Sequence, residues 1–464
     1  MRRKNLVSCF ISIVMFFFMG MPDAAVAETD VLKNFTLIDG TGSDATRDAA
    51  MIVTDGRIAW IGPAAQLATP ADATVTDLGG AYVIPGLIDI HGHLGNTKGL
   101  TENVNFYTRD SVEADLKTYA AYGVTTVQSL GTDQDLIFQI RAEQQRSGRP
   151  LIARVRSSGQ GIVYDNSSGG IKGLNKPVTN AAEAREQVAD QAGKGADSIK
   201  FWLDDDLGRL AKMPPDVSAA IIDEAHQKGL RVVAHVFYLA DAERLAAEGV
   251  NGFGHSVRDK AVDRSLIDTL KRQGTWMMSA TLSRDFSFTY AKPPFLSGPF
   301  FTRAVSPSVV NTLSSPEHEK QIMERPHFAD YKLFFENAKR NLKAMADAGV
   351  SYGVGTDSGP PGRFVGFFEH VELEQMVAAG LTPLQVLTAA TGGNAKFLGA
   401  NDIGTLEKSK WADFVVLDAN PLADIRNTRT IRAIYIAGRP VPTIWSLCAD
   451  RPPGACETTP GSSK

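Results

Sequence analysis

Cysteine is scarce in this 464-residue chain, with three in all: Cys9, Cys448 and Cys456. The long body between Cys9 and Cys448 therefore holds neither a thiolate metal site nor a disulfide framework. Cys448 and Cys456 fall in a Pro/Gly-rich tail, where a local disulfide and two free thiols both stay open. An excess of charge is missing too. The formal net charge of −4 leaves no electrostatic footprint for nucleic acid. No apolar run reaches the ~20 residues of a membrane-spanning helix. Histidine is rare as well, with eight in the chain, so where they fall is informative.

What is present begins with a leader. Arg2, Arg3 and Lys4 precede an apolar run from Leu6 to Met19, and Ala25-Val26-Ala27 follows as a small-x-small cleavage signal. This is the anatomy of a secretory signal peptide over residues 1–27. The expectation is a periplasmic or secreted protein with no stable membrane insertion after cleavage. Cys9 lies inside the apolar run and not at the cleavage site, which argues against a lipid anchor.

Eight short β-branched or aromatic runs follow: Val83–Asp89, Gly123–Leu130, Leu151–Ser157, Ser198–Trp202, Arg231–Val236, Gly252–His255, Trp276–Leu282 and Ser351–Gly355. Stretches with helical spacing of apolar residues separate most of them, among them Val217–Lys228, Ala240–Glu248 and Tyr331–Ala348. Alternating strands and helices predict parallel βα units, and eight in succession predict an α/β fold of the (β/α)8 TIM-barrel type. The flanks alternate apolar and polar residues instead. Asp55-Gly56 marks a hairpin turn between Met51–Val53 and Arg57–Ile61, and Asp413–Leu417 and Ala433–Ile436 read as strands. The predicted organisation is a β-sandwich built from 28–84 and 402–447, a metal-binding barrel over 85–401, and a tail over 448–464. Two long insertions, Ser157–Gly173 and roughly Ser283–Pro326, have the length of functional loops or lids.

The sharpest local signal is Gly86-Leu87-Ile88-Asp89-Ile90-His91-Gly92-His93. Residues i and i+2 on a strand share a face, so His91 and His93 present two imidazoles to one cation such as Zn²⁺. Other candidates end other strands: His235 the fifth, His255 the sixth, and Asp357 just after the eighth. Lys200 lies within the fourth. Barrel active sites collect residues from the C-terminal ends of different strands. Taken alone, each has a plainer reading: Lys200 as a lysine reaching for solvent, His235 or His255 as a satisfied core histidine, Asp357 as a turn residue. The joint pattern favours a metal centre.

Together these residues, with Val83-Ile84-Pro85-Gly86, Thr391-Gly392-Gly393-Asn394-Ala395, Gly404-Thr405-Leu406 and Ala412-Asp413-Phe414-Val415-Val416-Leu417, resemble the amidohydrolase superfamily over nearly the whole mature chain. The likeness is to its binuclear, carboxylated-lysine type, in the imidazolonepropionase-related branch that includes prolidase-like dipeptidases, carboxypeptidases and ochratoxin-type amidases. The resemblance implies two divalent metal ions, with Zn²⁺ the first candidate. His91, His93 and Asp357 would hold one, His235 and His255 the other, and a carbamate on Lys200 would bridge them. It further implies a metal-bridging hydroxide as nucleophile and Asp357 as the catalytic general acid/base. The reaction would be hydrolysis of an amide or peptide C–N bond in a small substrate, an N-acyl amino acid or dipeptide. An ester, carbamate or lactam on the same centre is one alternative, and a catalytically inactive periplasmic binding protein is another.

Substrate contacts are read from position alone. Arg258, three residues after His255, is a candidate clamp for a carboxylate, and pairing with Asp259 is its plainer reading. Tyr164 and Tyr238 are candidate hydrogen-bond donors to substrate. Phe286, Phe288 and Tyr290 offer an apolar wall or a packed lid. Asp204-Asp205-Asp206 reads first as a solvated turn, and secondarily as a feature favouring a cationic substrate. His226 reads as solvated, while His327 and His370 are candidates for the mouth of the site. Self-association stays open.

Overall fold

The computed structural model describes residues 28–447 except 166, 168 and 279–281. The expected leader over 1–27 and the tail with Cys448 and Cys456 lie outside the described residues.

The two ends of the chain meet in one seven-stranded sheet. Its order is Arg439–Val441, Ile431–Ile436, Phe414–Leu417, Thr74–Pro85, Thr29–Leu37, Thr46–Thr54 and Arg57–Pro63. Thr74–Pro85 joins the halves, parallel to Thr29–Leu37 and antiparallel to Phe414–Leu417. Leu32, Phe35, Met51 and Val83 from one end and Phe414 and Val416 from the other form a shared core. The turn at Asp55-Gly56 is where the sequence placed it, with φ of 51° and 80°. Two consecutive positive φ angles are what a twist-matched two-residue hairpin requires.

The expected first run, Val83–Asp89, is two strands. Thr74–Pro85 belongs to the seven-stranded sheet, and the chain breaks at Gly86 before Leu87–Gly92 begins a second layer. Close packing demands glycine at this position: a Cβ at Gly86 would lie 2.1 Å from Thr125 Oγ1. Leu87–Gly92 pairs in parallel with Val124–Ser129, and that strand with Arg154–Ser157. Ser198–Trp202, Arg231–His235, Gly252–Phe253, Trp276–Met278 and Tyr352–Gly353 follow in the same parallel sense. Hydrogen bonds link these two groups on both flanks, Asp197 N to Ser157 O at 2.8 Å and Ile90 N to Val354 O at 3.1 Å. Helices connect successive strands, so the pattern is α/β with the strand ends gathered on one side.

Several strands are shorter than their apolar runs. Trp276–Met278 stops early, and Leu282 opens the helix Leu282–Ser287. The expected long loop Ser283–Pro326 is largely helical, with Pro299–Thr302, Pro307–Ser314 and Pro316–Met323 each starting on proline, which fits the first helical position. The earlier insertion carries the strand Ile162–Tyr164, paired with Lys176–Val178. Gly274 and Gly349 adopt positive φ where helices hand over to strands, as their place in the sequence predicts.

Candidate metal centre

His91 and His93 end the strand Leu87–Gly92, and Asp357 follows Tyr352–Gly353, the strand on its flank. The backbone fastens the two ends together. His91 O accepts from Asp357 N at 2.7 Å, and His93 N donates to Ser358 O at 2.8 Å. Asp357 sits at φ 55°, a left-handed conformation that costs a non-glycine residue energy and often marks functional sites. The result is a compact donor set in which one ligand atom from each of His91, His93 and Asp357 lies within 4.8 Å of the others. His93 Nε2 is 2.8 Å and His91 Nε2 3.7 Å from Asp357 Oδ1.

The partners of the rings set their tautomers. His91 Nδ1 faces the carbonyl of Gly254 at 2.9 Å. A carbonyl only accepts, so the proton belongs on Nδ1 and the lone pair on Nε2 is free for a cation. His93 Nδ1 lies 2.9 Å from Thr132 Oγ1, which leaves its Nε2 toward Asp357. His235 is reversed: its Nε2 lies 2.8 Å from Asp204 Oδ2, while the buried Nδ1 has no partner. Burial pushes His235 down to about 4, so at neutral pH a neutral imidazole donates to the Asp204 carboxylate and keeps a lone pair on Nδ1. His255 packs between these groups, its ring tilted against both, with its centroid 4.1 Å from that of His235 and 4.9 Å from that of His91. Its Nδ1 is also buried without a partner.

Lys200 is fully buried beside them, and its Nζ has no hydrogen-bond partner. A Cβ at Gly254 would stand 2.8 Å from that Nζ and 3.1 Å from His91 Cε1, so only glycine permits the approach. Burial pushes Lys200 down to about 7. An uncompensated buried amine is costly, and two orphaned imidazole nitrogens beside it raise the cost. These orphaned atoms, with the His91/His93/Asp357 set, fit a site for divalent cations: imidazole and carboxylate donors, buried, with second partners already placed.

The structure adds residues that the sequence reading did not single out. Arg363 Nη1 donates to Asp357 Oδ2, and Arg284 Nε lies 2.9 Å from the same oxygen. Burial alone would raise Asp357, but Arg363 and the two histidines hold its carboxyl well below the usual range. Glu102 and Asp204 also line the cavity of about 170 Å³ in front of His93, His235, His255 and Asp357. Asp204, read first as part of a solvated turn, is instead the partner of His235. The available signal was its place two residues past the strand that bears Lys200. Arg284 and Arg363 gave no comparable signal, since neither ends a strand: Arg284 lies in the short helix Leu282–Ser287 and Arg363 in the loop beyond Asp357.

The substrate-contact candidates are dispersed. Arg258 is buried, donates to Val236 O and Ser256 O, and lies 3.7 Å from Asp285. It lines a small adjoining cavity together with Asp204, Arg284 and Phe288. Its contacts are carbonyls and Asp285 in place of the expected Asp259. Tyr238 donates its hydroxyl to Asp205, and Tyr164 packs at the edge of a core cluster. Neither tyrosine lines the metal cavity. Phe286 and Tyr290 pack on each other within the insertion, ring centroids 5.1 Å apart. His226 is exposed beside Asn251, and His327 pairs with Asp330 on the surface. His370 does not reach the mouth: it is buried between Thr428 Oγ1 and Tyr122 O.

Known proteins resemble this chain in sequence and in fold. Residues 82–441 match the amidohydrolase family. Imidazolonepropionase of Nocardia farcinica is 23% identical over 379 residues, covering 80% of this chain and 86% of that protein. Among solved structures, a putative prolidase from Bifidobacterium longum superposes with a TM-score of 0.70 at 28% identity, covering 89% of this chain and 94% of its own. Ochratoxinase of A. niger shares the fold, with a TM-score of 0.69 at 20% identity over 90% of this chain and 98% of its own.

Proposed function

This chain belongs to the amidohydrolase family, a TIM-barrel-type hydrolase of C–N bonds, and from that premise we propose that it cleaves an amide or peptide bond in a small N-acyl amino acid or dipeptide. The observation that carries the reading is the convergence of His91, His93 and Asp357 beside three orphaned buried nitrogens, Lys200 Nζ, His235 Nδ1 and His255 Nδ1. In this reading His91, His93 and Asp357 hold one divalent cation, His235 and His255 hold a second, and Lys200 bridges them as a carbamate. A neutral amine is the form that adds CO₂, and burial of Lys200 favours that form. The finer architecture follows the same reading: a closed (β/α)8 barrel flanked by a β-sandwich from both chain ends, exported through a cleaved leader.

Cations held by these residues would supply Lewis acidity, to lower the pKa of a water and polarise a carbonyl. The rest falls to side chains. Asp357 takes the proton released at its Oδ1 side and passes it to the leaving nitrogen. Arg363 and Arg284 fix its other oxygen, so the carboxylate cannot swing away. Gly254 O, Thr132 and Asp204 hold the imidazoles in their tautomers. Arg258 remains the proposed carboxylate contact, reached through the cavity it shares with Arg284. Tyr164 and Tyr238 are proposed contacts that need side-chain movement, for Tyr238 an exchange of its bond to Asp205.

The test is metal analysis of the purified protein, with a screen of N-acyl amino acids and dipeptides against neutral esters, carbamates and lactams. About two metal ions per chain and amide hydrolysis lost on chelation are expected, and Asp357→Asn is expected to abolish turnover while leaving the fold. Metal-free protein that still hydrolyses amides, or turnover retained in the Asn variant, would overturn the mechanism. Activity restricted to esters would overturn the substrate class alone, and metal bound without any turnover would favour a binding protein.

A further inference from the structure

The metal cavity, at about 170 Å³, is small for the site it would have to be. Small-molecule sites span roughly 300–1,000 Å³. A larger cavity of about 410 Å³ stands directly behind the loop that follows Asp357. The two share Pro360 and Arg363 in their walls. The larger one is bounded by 97–99, just past His93, by the helix Arg109–Ala121, and by the insertion at 304–309. Its walls are mixed: Val305, Val309, Phe364 and Val365 make an apolar part, and Thr97, Ser111, Thr118 and Ser306 add hydroxyls.

One carboxyl group stands in this lining. Asp115 Oδ2 accepts from Gly95 N at 2.7 Å, and that is its one hydrogen bond among the described residues. No cation pairs with it there. Lys98, at the rim, places its Nζ 4.9 Å from the Phe106 ring, and Arg363 is committed to Asp357. Burial pushes Asp115 up to about 7. Asp115 itself is half-buried, and a carboxyl of raised pKa without a counter-charge in a concave site is a candidate functional group. What Asp115 lacks is a positive, hydrogen-bonding partner, since Lys98 and Arg363, both in the lining, are engaged elsewhere.

We propose that this cavity is a second binding subsite, in which Asp115 receives a primary ammonium group on a short apolar arm, and that the arm is the far end of the substrate. The chemistry follows from the lining. The ammonium supplies the missing counter-charge to Asp115, and the hydrocarbon displaces water from Val305, Val309 and Phe364. Arg363 stands between the two cavities, so one molecule can lie across it with its scissile bond toward the metal centre. The assignment of the occupant as substrate rests on the hydrolase reading, whereas the ammonium site does not.

The test uses the full-length metal-loaded protein and two probes, benzylamine and benzyl alcohol, titrated calorimetrically. Asp115→Asn keeps an oxygen to accept from Gly95 N, so the loop beyond His93 stays supported and only the negative charge is lost. It is expected to weaken benzylamine about tenfold, the scale of one charge-assisted hydrogen bond, and to leave benzyl alcohol unchanged. Val309→Trp, which fills the cavity, is expected to weaken both probes. Benzylamine binding that is indifferent to both substitutions overturns the site, since the amine then sits elsewhere, for instance on the cations. The source of the ligand is read from inhibition: competition between benzylamine and a hydrolysed amide identifies the substrate's own end. Binding without competition overturns that part and leaves a separate amine site. Should no amide be hydrolysed at all, the hydrolase reading fails while the calorimetric arm still decides the ammonium site.

Discussion

Replacing Asn394 with Ala should loosen the two strand ends on which the metal centre depends. Asn394 is fully buried and bridges the strands that carry the first and last ligands. Its Nδ2 donates to Ile88 O at 2.6 Å and to Val354 O at 2.7 Å, and its Oδ1 accepts from Val354 N at 3.0 Å. Val354 O keeps a second donor in Ile90 N, but Val354 N loses its acceptor. Three buried hydrogen bonds at about 1 kcal/mol net each put the loss near 3 kcal/mol. With an unfolding entropy of roughly 2.1 cal/mol/K per residue, a chain of this length loses about 3–4 °C in Tm. Scanning calorimetry of the metal-free protein measures that shift. Metal retained after dialysis against a weak chelator measures the second consequence, because His91 and His93 ride on one strand and Asp357 follows the other. A Tm within 1 °C of the parent, together with unchanged metal retention, would refute the idea that this side chain ties the site together.

Lys200→Met should act in opposite directions on stability and function: it removes an orphaned buried amine and raises the Tm of the metal-free protein, while metal content and turnover fall. A variant less stable than the parent would show that the amine is satisfied in solution. Gly86→Ala should destabilise by about 1–3 kcal/mol, the usual cost of overpacking, because its methyl meets Thr125; shortening that neighbour with Thr125→Gly should restore most of the loss in a double-mutant comparison. His370, pushed down to about 3 by burial from its usual 6.5, is neutral when folded and takes a proton when unfolded below pH 6.5. Unfolding stability should therefore fall as pH drops from 6.5 toward 3, by about 1.4 kcal/mol per pH unit. His370→Asn should show a shallower slope in denaturant melts across that window, and an unchanged slope would mean other groups carry it.

Much of the site is legible before folding because its chemistry is tied to strand position. His91 and His93 alternate onto one face by the period of a strand, and Lys200, His235, His255 and Asp357 each sit within or just past an apolar run. The hairpin at Asp55-Gly56 is equally local, since two positive φ angles restrict the residues that can occupy them. The helical insertion after Trp276–Met278 was less readable, because its proline-started helices, Pro299–Thr302, Pro307–Ser314 and Pro316–Met323, are too short to show a helical period.

What the sequence determined by itself is therefore the local part: which residues are ligand types, which runs pair as strands, and where turns fall, because φ preference and side-chain alternation act between near neighbours. The tertiary structure alone decided the partnerships across the chain. Asp204 turned from solvent to His235, Arg284 from a short helix and Arg363 from a loop came onto Asp357, and Asp115 was left uncompensated beside a cavity. Such pairings depend on burial and on charges brought close by the packing of distant segments, and no short-range pattern encodes that distance.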